Sequence, residues 1–164
     1  MHGLVRVLPT SAADGSPDLD IAFFLAGLTS DLEFLKLNEY HSHARHVHHE
    51  AMNWKLLIDT SLEGYHFGFL HGESLRGILK PNICGFRAFG PNARLVYSRA
   101  TIDRLRERPE SEWDLMWNST IFYSMFANTI FSPQGDQMEL YRVFPVDGRP
   151  DRAVLETSLY RGSR

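Results

Sequence analysis

Hydrophobic and polar residues follow two rhythms along this chain. In the C-terminal half, β-branched and aromatic runs are separated by Gly, Pro and Asp turn signals. Thr120 to Ile130 (TIFYSMFANTI) reads as one strand lining the interior, closed by Phe131-Ser132-Pro133. Gln134-Gly135-Asp136 turns, Gln137 to Val146 returns as a strong strand, and Ala153 to Tyr160 completes a meander after the turn Asp147 to Asp151. Upstream the spacing is more helical. Asp18 or Asp20 caps a short helix over Ile21 to Leu28, and Thr29 or Ser30 starts a further turn before Phe34. Asn53 to Gly64 is amphipathic, with Trp54, Leu57, Ile58 and Leu62 inward and Lys55 and Asp59 spaced to pair on the outer side. Helices followed by antiparallel strands predict an α+β fold.

Between and around these elements the pattern is weaker. His2 to Pro9 alternates like a strand, and Thr10 to Asp18 has loop composition. Leu35 to Met52 contains HSHARHVHHE, and read with period two Tyr40, Ser42, Ala44, His46, His48 and Glu50 share one face of a strand. His41, His43, Arg45, Val47, His49 and Met52 mostly take the other face, so both are rather polar. Pairs such as His46 with His48, or His41 with His43, are conceivable metal ligands, although a polar pocket wall explains the composition more simply. Gly72 to Gly90 reads as loop-rich, with Phe86 to Phe89 and Ala93 to Ser98 as strands about a Gly90-Pro91-Asn92 turn. Thr101 to Arg108 reads as a charged surface helix, and Trp113 and Trp117 are expected in the core.

With 164 residues, 43% of them hydrophobic, the chain is long enough to bury a core as one domain over residues 1–164. A net charge of −3 offers no electrostatic reason to expect nucleic acid or an anionic membrane as partner. The longest apolar stretches fall well short of the roughly 20 residues a bilayer span needs, and no secretory layout opens the chain, which predicts a cytoplasmic protein. A single cysteine, Cys84, excludes an intramolecular disulfide and a thiolate cluster within one chain. Neither a Gly-rich phosphate loop nor a Gly-x-Ser-x-Gly elbow is present.

The chemistry concentrates in Asn53 to His71, NWKLLIDTSLEGYHFGFLH. His66 and His71 are five apart, which on an unbroken helix separates them by roughly 140°. Gly68 between them would let the helix end or loosen and bring the second ring round. Glu63, three residues before His66, shares its face. Neutral imidazoles suit zinc, copper, nickel and iron, and two histidines with a carboxylate and open positions is the donor set of non-haem iron oxygenases.

The full string, Asn53-Trp54-Lys55, Asp59, Leu62-Glu63-Gly64-Tyr65-His66 and then His71, resembles the mononuclear-iron motif in the catalytic domain of Rieske-type aromatic-ring-hydroxylating oxygenase α subunits. That resemblance implies a helix-grip fold, an antiparallel sheet with helices that grips a C-terminal helix. It also implies iron(II) held by His66 and His71, and Glu63 as the catalytic carboxylate linking the iron to the iron–sulfur centre of an adjacent subunit. Tyr65, Phe67, Leu70, Phe122 and Phe126 become candidates for the pocket of an apolar or aromatic substrate. Three parts of the family pattern have no match here. The 164 residues contain neither a Rieske domain nor a carboxylate on a C-terminal helix that would complete the iron site, and Thr60 stands where the family often has asparagine. The reading is therefore a C-terminally truncated catalytic domain that carries no iron–sulfur cluster of its own. It depends on a redox partner for electrons and associates with a further copy or chain that covers the open sheet. Alternatives are a helix-grip module that binds a small molecule without redox chemistry, and an accessory subunit of a longer α chain.

Overall fold

The computed structural model describes residues 20–75 and 77–162. Seven strands form one antiparallel sheet, ordered β1-β7-β6-β5-β4-β3-β2. They are β1 (Tyr40–Glu50), β2 (Leu79–Phe89), β3 (Asn92–Arg99), β4 (Ser119–Met125), β5 (Thr129–Gln134), β6 (Gln137–Val146) and β7 (Arg149–Gly162). From β2 to β7 the sheet is a meander, and β1 joins its far edge by pairing with the last strand. The α+β expectation holds. The strand expected over residues 2–9 and the loop expected over residues 10–18 lie outside the described residues.

Helices α1 (Ile21–Leu25) and α2 (Thr29–Leu35) cover one face of the sheet. Asp20 caps α1 by accepting from Phe23 N–H at 2.9 Å, and Ala26 in the left-handed region ends it earlier than the apolar pattern suggests. Leu25, Leu28, Leu32 and Leu35 pack on Phe89, Tyr123, Met125, Phe131, Met138 and Leu140, the inward residues of alternating strand positions. Tyr123 and Phe131 stack with centroids 4.9 Å apart. Asp31 of α2 accepts from Arg94 and, at 3.2 Å, from Tyr123 Oη, which ties the helix to the sheet through a half-buried charge. On the same face, at the β1 edge, buried Glu156 is flanked by Arg45 and Arg142.

The opposite face carries Tyr97, Phe122, Ile130, Ser132, Glu139, Tyr141, Val143, Thr157 and His46, as the cross-strand register dictates. Helix α3 (Trp54–Ser61) packs on β6 and β7 and delivers the chain to Tyr97. Its cap is Asn53, which accepts from Lys55 N–H at 2.9 Å. Trp54, Leu57 and Ile58 are half-buried or nearly so, as the amphipathic pattern requires. Lys55 does not pair with Asp59; its ammonium lies 5.8 Å from the centroid of the Trp54 ring.

Several sequence expectations need correction. Thr120 to Ile130 is a hairpin, because the chain turns at Phe126 to Asn128 without any glycine or proline to announce it, and Pro133 sits buried inside β5. Most of the supposed loop before Gly90 is the long strand β2. Thr101 to Arg108 is largely a 3₁₀ segment, Ala100–Glu107. Trp113 and Trp117 are 40% and 63% exposed, and Trp117 lies against Gly135 instead of entering the core. In β1 the register shifts between Ser42 and Ala44, so Tyr40 and Ser42 face the side opposite to Ala44, His46 and His48. Tyr40 thereby joins the helix-covered core.

Candidate functional site

The run after α3 is organised by a carboxylate and a glycine. The helix ends at Ser61, and Leu62, Glu63 and Gly64 lead into a 3₁₀ turn, Tyr65–Gly68. Glu63 Oε2 accepts from the backbone N–H of Tyr65 at 2.5 Å and of His66 at 3.2 Å, so its side chain caps the turn. The other oxygen, Oε1, lies 2.5 Å from His66 Nδ1. An ionised carboxylate only accepts, so Nδ1 carries the proton and Nε2 keeps the lone pair in the neutral ring. Desolvation pushes the Glu63 carboxyl up, but the His66 ring and the two backbone donors outweigh it and hold its pKa below the ordinary value.

Because the helix stops before Glu63, the spacing of five between the histidines is no obstacle to their meeting. The His66 and His71 rings have centroids 5.4 Å apart at 67°. Their segment is turned back by Leu70 N–H donating to His66 O at 2.7 Å. The glycine that permits this is Gly64 and not Gly68. A Cβ at Gly64 would sit 2.5 Å from Tyr97 Cε1, whereas one at Gly68 meets nothing within 4 Å.

Around this turn the second face supplies aromatic walls. Phe67 contacts Tyr97 edge-on at 5.0 Å, and Tyr97 contacts Phe122 at 5.8 Å. Tyr97 is buried, and Cys84 is its partner across β2 and β3. Burial first, then the Cys84 thiol and the Glu63 carboxylate, push the Tyr97 hydroxyl above its ordinary pKa, so it remains a protonated donor. Sequence reasoning misses both Tyr97 and Cys84 as neighbours of the site, because Pro81 and Gly85 within β2, and Gly77 and Gly90 at its ends, disguise it as a loop.

The structure brings Glu63, His66, His71, Phe67 and Phe122 into one neighbourhood through these contacts. Tyr65 and Leu70, 72% and 75% exposed, flank it on the solvent side with Phe69. Phe126 lies elsewhere, exposed in the β4–β5 turn, six residues or about 20 Å along the strand from Thr120, which pairs with Tyr97. It does not belong to the pocket read from the sequence.

Two imidazoles sharing an ion at about 2 Å from each nitrogen hold their centroids roughly 4.5–5.5 Å apart, a range that includes the 5.4 Å between these rings. The donor set is incomplete: among the described residues no group of three His, Cys, Asp or Glu side chains could hold a metal ion, and Glu63 is committed to His66 and the backbone. His46 and His48 project on one face with centroids 6.4 Å apart, and His48 Nε2 lies 3.4 Å from Thr157 Oγ1. Among the described residues no helix is long and apolar enough to cross a membrane.

The family model described as ring hydroxylating alpha subunit (catalytic domain) matches residues 37–162. Among curated proteins none matches the chain significantly in sequence. Solved structures of similar fold include the quaternary ammonium Rieske monooxygenase CntA in complex with an inhibitor, with a TM-score of 0.69 at 16% identity over 92% of this chain and 38% of that one. CntA in complex with L-carnitine aligns with a TM-score of 0.67 at 16% identity, over 92% and 37%. A further quaternary ammonium Rieske monooxygenase structure, described for carnitine oxidation by gut microbiota, aligns with a TM-score of 0.63 at 19% identity, over 86% and 37%. The chain thus spans between 37% and 38% of the length of these structures, and at such identities the likeness is one of fold.

Proposed function

Because the chain belongs to the ring-hydroxylating alpha-subunit catalytic domains, we propose that it contributes the mononuclear iron site of an oxygenase that hydroxylates a small apolar or aromatic molecule with dioxygen. The observation that carries this reading is the convergence of His66 and His71 at 5.4 Å, with Glu63 fixing the tautomer of the first. Iron(II) bound there would supply dioxygen activation beside the substrate.

The chain's own residues have distinct tasks. His66 and His71 would hold the metal, His66 through the nitrogen that Glu63 leaves free. Glu63 orients the ring and stiffens the turn, and it is the carboxylate through which an adjacent subunit would reach the site. Phe67, Tyr97 and Phe122 form a dry wall for an apolar substrate, while Tyr65, Phe69 and Leu70 expose apolar surface beside it that suits contact with a partner. The protein relies on a redox partner for electrons and on further copies or chains for assembly.

Anaerobic iron loading of the wild type, His66→Ala and His71→Ala, followed by metal analysis, tests the site. Near-stoichiometric iron in the wild type and little in either variant is expected; equal iron in all three refutes the reading. The lack of a three-ligand cluster among the described residues favours a second reading, a redox-silent module that binds a small molecule on the same face. Ligand binding that survives a chelator and both histidine substitutions would select it.

A further inference from the structure

On the site face, away from the histidines, a cavity of about 290 Å³ is lined by Ala44, His46, Glu139, Tyr141, Thr157, Ser158 and Leu159. Tyr141 Oη donates to Glu139 Oε2 at 2.5 Å. Glu139 Oε1 has no hydrogen-bond partner and Glu139 no ion pair among the described residues. The cation next along β7 on this face, Arg161, is turned to Asp136 at 3.6 Å. Burial and the neighbouring carboxylate push the Tyr141 hydroxyl up, so it remains a donor to Glu139 and does not add a second negative charge. A half-buried carboxylate with a free oxygen facing a cavity gains most from a ligand that brings a positive charge and N–H donors.

The register fixes where this pocket stands relative to the aromatic wall. Ser132 pairs with Glu139, and Phe122 falls opposite Ser132 because Tyr123 pairs with Phe131. Phe122 and Glu139 are therefore two strands apart on one face, about 10 Å at about 4.8 Å per strand. Ser132 between them is fully buried, and Tyr97 and Phe67 continue the apolar side toward His66.

We propose that Glu139 and Tyr141 form a recognition subsite for the ammonium end of an amine whose apolar end lies against Phe122, Tyr97 and Phe67. The assignment names the substrate class for the proposed oxygenase and rests on this face receiving the substrate. His46 and Thr157 line the wall beyond.

Calorimetric titration of metal-free protein with phenethylamine and with phenethyl alcohol, at mildly alkaline pH where imidazoles are neutral and the amine is charged, tests it. The amine should bind about tenfold more tightly than the alcohol, the margin of a charge-assisted over a neutral hydrogen bond. Glu139→Gln should bring the two to parity while leaving alcohol binding intact, and His66→Ala should leave the amine preference unchanged. Equal binding of both ligands to the wild type, binding of neither, or a preference that persists in Glu139→Gln overturns the proposal. The wild-type comparison stands without the variant if Glu139→Gln fails to fold. Because no metal takes part in this titration, failure of iron loading and failure of amine recognition are read separately.

Discussion

Tyr97 lies directly over Gly64, so closely that a Cβ on the glycine would come within 2.5 Å of the ring. This contact seats the turn that carries both site histidines against the sheet. Gly64→Ala must push the ring or the backbone aside, at a cost of about 1–3 kcal/mol. Gly68→Ala has open space and should be neutral or stabilising by up to about 1 kcal/mol. Urea unfolding of the two variants checks the pair, and comparable destabilisation by both would contradict the geometry.

Glu63 acts on His66 at two levels, through the ring and through the backbone. Glu63→Gln keeps the shape but weakens the acceptor, and iron affinity is expected to fall about 10- to 100-fold, as for other carboxylates behind a ligating histidine. Since the folded pKa of Glu63 lies below its ordinary value, the clamp is fully formed above about pH 4.3 and is lost as pH falls through the lower folded value. Amide exchange at Tyr65 and His66 followed downward in pH measures this, and loss of protection already at neutral pH would rule it out.

Glu156 is 5% exposed between Arg45 and Arg142. Burial raises its pKa, and the two guanidiniums lower it by more, leaving it below the ordinary glutamate value. The stability it contributes is present above about pH 4.3 and disappears as pH drops through the depressed folded value. Glu156→Ala leaves two cations facing each other, and a loss of about 1–3 kcal/mol is expected, tempered by the solvent access of both arginines. Chemical denaturation of wild type and variant at neutral and acidic pH should show the two curves converging in acid.

Asp31→Ala removes the acceptor shared by Arg94 and Tyr123. With Tyr123 buried and stacked on Phe131, an unsatisfied hydroxyl should cost about 1–3 kcal/mol. Thermal unfolding monitored by near-ultraviolet circular dichroism reports it, and an unchanged melting temperature would show that the helix is held by its leucines alone.

The sheet is legible in the sequence wherever alternation is bounded by glycine or proline. The strands β3, β6 and β7 and the turns at Gly90, Gly135 and Gly148, all with positive φ, stand where the pattern puts them or nearly so. The β4–β5 hairpin does not, because Phe126-Ala127-Asn128 carries neither glycine nor proline and offers Asn128 alone as a turn signal between two β-prone runs. Size alone would bury Trp113 and Trp117, yet the leucines of α1 and α2 already fill the core beneath the sheet. At the candidate site, the spacing of Glu63, His66 and His71 picks out side chains that the fold sets side by side, but not the local geometry that does so. Gly68 is the break that the spacing suggests, and the chain instead leaves helical geometry at Leu62, where tertiary contact with Tyr97 decides the path. Tyr97 and Cys84 become neighbours of the site only through strand pairing, which no local pattern encodes.

The extra residue near His43 acts as a phase switch for the outer strand. Because side chains alternate with a strict period of two, the even-numbered positions before the irregularity, Tyr40 and Ser42, face the leucine-filled side, and the even-numbered positions after it face the side bearing the histidine pair. Deleting His43 would join Ser42 to Ala44, whose partners Tyr160 and Leu159 are already consecutive, so the ladder would become regular with every other side chain on its present face. Tyr40 would keep its apolar seat and His46 and His48 their side. What the border would lose is the local bend and added twist that one unpaired residue gives an outer strand.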